Sequence, residues 1–200
     1  MHLLMSGDTI KIIPFVPVLN GNVAAPEGNR YRKLGNAVKT VKSSGYDTFY
    51  VIDINGLIKN KPQINIIQEM SKEKNLWVES GARFAEDMID VLMAGAEYAV
   101  LNTMLLDLDE LKKICVLSQN IMLHIEFKND RVHQMNIKYF ADKAKEAGIK
   151  KFVMESRDYW LIKKLAKDAE MYIFAKKDEI KKLEDAGVAG VLLDIREELE

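Results

Sequence analysis

Five short apolar runs of this chain end on a carboxylate: Val51-Ile-Asp53, Leu76-Trp-Val-Glu79, Leu123-His-Ile-Glu126, Phe152-Val-Met-Glu155 and Val191-Leu-Leu-Asp194. Around them stand only a few cations: His124, Lys128, Arg83 and Lys176. If residues 121–127 form a strand, its period of two sets His124, Glu126 and Lys128 on one face. Carboxylates gathered in one space raise one another's pKa values or demand a cation. Such a set serves as general acids and bases, or as ligands of a divalent metal together with His124. It also serves as an internal ion-pair network with no ligand at all. Spacing alone leaves the three open, and no compact metal-ligand spacing appears.

A second feature is chemical in another way. Ser80-Gly81-Ala82-Arg83 stands where a helix opens, and free backbone N–H groups at such a start attract phosphate. Asn102 and Thr103 would lie beside it if the two segments end neighbouring strands. The bland reading is a glycine needed for a turn and a solvated Arg83.

The elements that must position these residues recur along the chain. Strand candidates fall at 10–19, 48–54, 76–80, 98–101, 121–127, 151–155, 171–174 and 190–193, with helical patterns between them. Gly45, Gly95, Gly148 and Gly187 each stand at a helix end, the usual place for a left-handed C′ residue. Three of these ends read alike, Ala94-Gly95, Ala147-Gly148 and Ala186-Gly187, as a repeated βα unit would. Eight parallel strands with right-handed crossovers close into a (βα)8 TIM barrel; an open doubly wound sheet is the rival. The barrel is small. Only residues 194–200 follow the eighth strand, so its last helix is reduced or missing. The wall near the first and eighth strands then needs cover from residues 1–5 or from a second subunit, which leaves room for a homodimer.

Composition narrows the field. Two hundred residues, 48% of them hydrophobic, suffice for one well-packed domain, here taken as residues 1–200. With 29 basic and 30 acidic side chains, no net field draws the chain to nucleic acid or to a membrane surface. No apolar run has the length of a membrane span, and the apolar start lacks a signal peptide's basic region. The lone Cys115 lies in an amphipathic helix and fits a reducing, cytoplasmic setting. Nothing calls for a cofactor. Trp77 and Trp160 read as packing residues. The stretch 20–31 reads as a long loop, a mobile lid or a bland connection.

In order and spacing, several motifs resemble the histidine-biosynthesis (βα)8-barrel family, and most closely its ribotide isomerase (HisA-like) branch. Ile12-Ile-Pro14 with Asn20-Gly-Asn-Val23 resembles that family's first strand and loop. Val51-Ile-Asp-Ile-Asn-Gly-Leu57 with Lys61-Pro62 and Asn65 is similar to its second, Ser80-Gly-Ala-Arg83 to its Gly-rich third, and Asn102-Thr103 to its fourth. The likeness is clear over residues 10–127 and thin beyond. It implies that Glu126 faces inward at the mouth, and His124 and Lys128 with it. Asp53 and Glu79 are expected at the interior or mouth, with Glu155 and Asp194 at the ends of strands six and eight.

The departures bear on the reaction. The family rearranges an aldose to a ketose with two carboxylates, one ending the first strand and one ending the fifth. Pro17 replaces the first, and Glu126 stands for the second with one methylene more. The glycine-rich second phosphate site has become Ala175-Lys-Lys-Asp178 and Leu193-Asp-Ile195. The parent reaction on a doubly phosphorylated ribotide is therefore not expected. Two readings remain. One is an enzyme on a small anionic or phosphorylated metabolite, an isomerase-type proton transfer with Glu126 as principal acid/base and Asp53 and Lys128 assisting. Phosphate would be held by Ser80, Gly81, Ala82, Arg83, Asn102 and Thr103. A Schiff base on Lys128 is a weaker variant. The other reading is a non-catalytic barrel kept as a ligand-binding or partner subunit.

Overall fold

The first parallel strand, β1 (Lys11–Leu19), and the last, β10 (Gly190–Asp194), lie side by side. Their register runs from Lys11 opposite Gly190 to Phe15 opposite Asp194. That seam closes the sheet. The computed structural model describes residues 10–126, 131–157 and 159–199. From β1 the parallel order continues through β4 (Thr48–Asp53), β5 (Asn75–Glu79), β6 (Tyr98–Asn102), β7 (Ile121–Ile125), β8 (Lys151–Glu155) and β9 (Glu170–Phe174) to β10. The molecule is the small eight-stranded (βα)8 barrel that the repeated units predict.

Helices wrap the outside: α1 (Ala37–Ser43), α2 (Ile54–Lys59), α3 (Ile64–Ser71), α4 (Ala85–Met93), α5 (Leu108–Leu117), α6 (Arg131–Glu146), α7 (Tyr159–Leu165) and α8 (Ile180–Glu184). The outer faces of the strands and the apolar stripes of these helices form one continuous core, in which Phe49, Ile67, Met70, Met88, Leu111, Ile114 and Phe152 are fully buried. Three helices end as the glycine pattern predicts, with Gly95, Gly148 and Gly187 at positive φ. After β10 the described residues carry a 3-10 turn, Ile195–Glu198. Opposite Val191, near the start of β10, Ile12 of β1 is 44% exposed.

A second apolar cluster fills the lumen. Ile13, Tyr50, Trp77, Val100, Met122, Val153, Tyr172 and Leu192 point inward from all eight strands. Their phase settles which residues reach the mouth. On β4 the inward positions are Tyr50 and Ile52, so Asp53 points outward into the helix layer. On β5, β6 and β7 the inward positions continue to Glu79, Asn102 and His124.

Two local differences from the sequence reading have simple causes. The stretch 20–31 is not a loop. It carries an antiparallel hairpin, β2 (Asn22–Glu27) and β3 (Arg30–Asn36), that extends β1 beyond the barrel rim. Asn20 and Gly21 both take positive φ, 49° and 72°, the turn that matches the twist of paired strands. And the strand read as 48–54 stops at Asp53: α2 starts at Ile54 because the Asp53 side chain caps it.

Candidate functional site

Four neighbouring strands meet over one carboxylate. Glu79 at the end of β5 is 3% exposed and takes three donors. The Tyr50 hydroxyl of β4 donates to Oε2 at 2.7 Å, and the Asn102 amide of β6 donates to Oε1 at 2.8 Å. His124 of β7 places Nδ1 2.9 and 3.0 Å from the two oxygens. An ionised acid so placed is satisfied without solvent. Asn102 also donates to Glu126 Oε2 at 2.8 Å, so its amide bridges the buried acid and the acid at the rim.

The charges in this relay follow from the geometry. Burial would push the Glu79 pKa up, but the His124 cation and three hydrogen bonds hold it below its ordinary value of 4.5. Burial would push His124 down, but Glu79, helped by Glu126 and Glu155, carries it above its ordinary 6.5. Tyr50 is driven well above 10, first by burial and then by Glu79, and stays a phenol. Both shifts favour the carboxylate–imidazolium form of the pair. Nδ1–H is spent on Glu79. Nε2 is the one buried side-chain polar atom among the described residues without a hydrogen-bond partner.

His124 lines a cavity of about 490 Å³ at the C-terminal ends of the strands, within the range of small-molecule sites. None of the other members of the relay lines it. Phe15, Ile52 and Phe174 make the floor apolar. Phe174 is held edge-on by Phe15 at 5.1 Å and Tyr50 at 5.3 Å, with the His124 ring 5.4 Å away. The rim is charged: Glu155 and Arg157 pair with each other, and Asp194, Glu197, Glu179 and Lys176 complete it. Asp194 is gripped by Arg196 through two bonds from Nε, 2.8 and 3.0 Å. Among the described residues no three His, Cys, Asp or Glu side chains converge on a point suited to a metal ion.

Of the predicted site residues, the structure brings Glu79, His124, Asn102 and Glu126 into one network, with Glu155 and Asp194 on the cavity rim. Others go elsewhere. Asp53 is a correction: its carboxylate caps Gly56 N at 3.2 Å and binds both Gln63 N (2.6 Å) and Gln63 Nε2 (2.7 Å), away from the lumen. Lys128 lies outside the described residues. Glu126 keeps its carboxylate on Asn102 and does not line the cavity, and its amide donates to Thr103 Oγ1 at 3.1 Å.

At the segment Ser80–Arg83 several backbone donors already serve the protein's own acids. Asp87 accepts from Arg83 N and Phe84 N at 3.0 and 3.1 Å, and Glu110 accepts from Ala85 N at 3.1 Å. The Arg83 guanidinium is tied to Asn60 Oδ1 at 2.7 Å and Gly81 O at 3.1 Å. Ser80 and Ala82 are buried, and the two glycines serve close packing: a Cβ on Gly56 would stand 2.1 Å from Ser80 O, and one on Gly81 would stand 2.9 Å from the Leu57 backbone. Asn102 and Thr103 are likewise engaged, with Met104 N on Asn102 Oδ1 at 2.8 Å.

Tyr50, Arg157, Phe174 and Arg196 were missed by sequence reasoning. Period-two alternation from Glu79's neighbours offered a signal for Tyr50. None marked the two arginines, which act through contacts only the turn geometry reveals.

Comparison with known proteins agrees with the fold and with the motif order. The search of curated proteins found no match. Among solved structures, the crystal structure of a "putative phosphonomutase" from Burkholderia cenocepacia is similar in fold, with a TM-score of 0.60, 15% identity, and coverage of 81% of this chain and 84% of that one. The family model described as histidine biosynthesis protein matches residues 11–193. With nearly all of the closed barrel inside that match, the chain belongs to the histidine biosynthesis protein family.

Proposed function

We propose that the barrel mouth binds a small carbonyl-bearing metabolite and moves a proton on it, an isomerase-type reaction in which His124 is the acid. The observation that carries this is Nε2 of His124, a buried nitrogen without a hydrogen-bond partner on a side chain that lines an open cavity. A charged N–H left without an acceptor is costly; a ligand oxygen relieves that cost. In the proposed step Nε2–H goes to the carbonyl oxygen while the adjacent carbon gives its proton to Glu155, one of the four carboxylates lining the same cavity. An enol, neutral His124 and protonated Glu155 result. Where the adjacent carbon carries a hydroxyl, Glu155 then gives its proton to the former carbonyl carbon while neutral His124 takes the proton of that hydroxyl, which completes the isomerisation and restores both side chains. Glu126, bonded to Asn102, tunes His124 from the side.

The reading is tested by following hydrogen exchange of small hydroxy-carbonyl compounds in D2O by NMR. Wild type should label the carbon next to the carbonyl, and His124→Gln and Glu155→Gln should each slow labelling by about 10²-fold or more. Unchanged labelling in His124→Gln would sink the proposal. Ligand binding with no labelling by wild type would favour the second reading, a binding or partner subunit. That reading draws on buried Pro17, two positions beyond lumen-facing Phe15, where the family's first acid is expected.

A further inference from the structure

The anion-binding positions of this barrel are occupied by its own acids, and this bears on what the cavity accepts. Barrel enzymes hold phosphate on backbone N–H groups at helix starts around the mouth, above all after the last two strands. Here Glu179 Oε2 accepts from Lys176 N at 2.9 Å after β9, and Asp194 Oδ1 accepts from Arg196 N at 2.9 Å after β10. On the opposite side Asp87 and Glu110 do the same at the start of α4, and Asp107 accepts from Glu110 N at 2.8 Å at the start of α5. A phosphate dianion brought to any of these would meet a carboxylate already in place.

The cavity's charges point the same way. Four carboxylates line it, Glu155, Glu179, Asp194 and Glu197, against two cationic side chains, Arg157 and Lys176. Arg157 is paired with Glu155. Lys176 is the lining cation whose ammonium has no ion-pair partner among the described residues. The groups left for a ligand are thus the His124 imidazole at the floor, whose Nε2 has no partner, and the Lys176 ammonium at the rim. Between them lies the apolar surface of Phe15, Ile52 and Phe174. Two donors match a carbonyl oxygen and one carboxylate. They do not match a phosphate ester, which carries a second charge and wants several N–H groups.

We infer that the ligand is an unphosphorylated small oxo acid: its carbonyl oxygen on His124, its single carboxylate on Lys176, and its apolar body over Phe174. This rests on the reading of His124 as the ligand's contact, and the test separates the two. Calorimetric binding would be measured for 2-oxobutanoate, 2-oxoisovalerate and phenylpyruvate, and for ribose 5-phosphate, glyceraldehyde 3-phosphate and inorganic phosphate. Wild type, His124→Gln and Lys176→Ala would be compared, each checked for an unchanged circular-dichroism spectrum. An oxo acid should bind at least tenfold more tightly than any phosphate compound, and Lys176→Ala should weaken it by roughly tenfold, the usual loss for one charged hydrogen bond. A phosphate ester that binds more tightly than every oxo acid and is weakened in His124→Gln overturns the ligand class and leaves the role of His124 intact. Binding equal in His124→Gln and wild type overturns the role of His124 itself. Failure of all three oxo acids to bind at millimolar concentration also overturns the ligand class.

Discussion

The two ends of the lumen hold similar groups in different states of completion. At the N-terminal end Trp77 donates to Glu97 at 3.1 Å, Tyr172 donates to Glu170 at 3.0 Å, and Lys151 pairs with Glu170 while lying over the rings of Tyr98 and Tyr172, 5.4 and 5.8 Å from their centroids. Among the described residues no buried side-chain nitrogen or oxygen there lacks a partner, and Trp77 packs edge-on against Tyr98 and Tyr172. At the C-terminal end Tyr50, Glu79, Asn102 and His124 form an equally dense network, yet one nitrogen stays open. Charge inside a barrel is therefore no sign of chemistry by itself. The unfilled valence beside a cavity is what separates a site from a plug.

Glu79→Ala tests that contrast most severely. It strands a buried imidazole and should cost about 3–5 kcal/mol in urea denaturation at pH 6, together with all ligand binding. A cost below about 1 kcal/mol would mean that the relay is as slack as a surface pair. Next comes the pH dependence. His124 has its pKa raised by folding, so its contribution to stability is complete below 6.5 and is lost as pH rises through the folded value. Glu79 has its pKa lowered, so its contribution is complete above 4.5 and is lost as pH falls through the folded value. Stability from the pair should be greatest between those two ordinary values, and the decline on the alkaline side should shrink in His124→Gln. An alkaline decline unchanged in that variant would assign it to other groups.

At the plugged end, Tyr172→Phe should cost about 1 kcal/mol and leave ligand affinity unchanged. Any loss of affinity would erase the distinction between the two ends. The smallest effect concerns the self-capped rim. Glu179→Gln should change stability by a few tenths of a kcal/mol while raising affinity for inorganic phosphate, as read by chemical-shift changes of the Lys176 amide. No gain in phosphate affinity would show that the carboxylate is not what excludes it.

The fold was largely legible because the strands are short β-branched or aromatic runs and glycines end three of the helices between them. Strand β8, for example, occupies residues 151–155 as read. The hairpin was not, although Asn20-Gly21 between apolar runs was its available signal. Asp53 was assigned to the wrong face because Tyr50-Val-Ile-Asp53 is apolar on both faces, so nothing in the run fixes its phase. Glu79 and His124 were placed correctly as inward, but their pairing depends on the registers of β5, β6 and β7, and those are set by closure of the whole sheet. The self-capping of the phosphate positions was invisible for a related reason. Asp87, Glu110 and Glu179 read as ordinary first-turn acids until the N–H groups they cover are located.

The seam between β1 and β10 has a kinetic consequence. It joins residues separated by almost the whole described chain, so its closure entropy is close to the largest this fold can incur, and contacts of that range form late. Until β10 has been synthesised and zipped into place, water can enter the lumen through the gap. Glu79 and His124 are then still hydrated, and their desolvation falls in the final stage of folding rather than in its nucleus. Substitutions in the relay should accordingly speed unfolding and leave the refolding rate almost untouched.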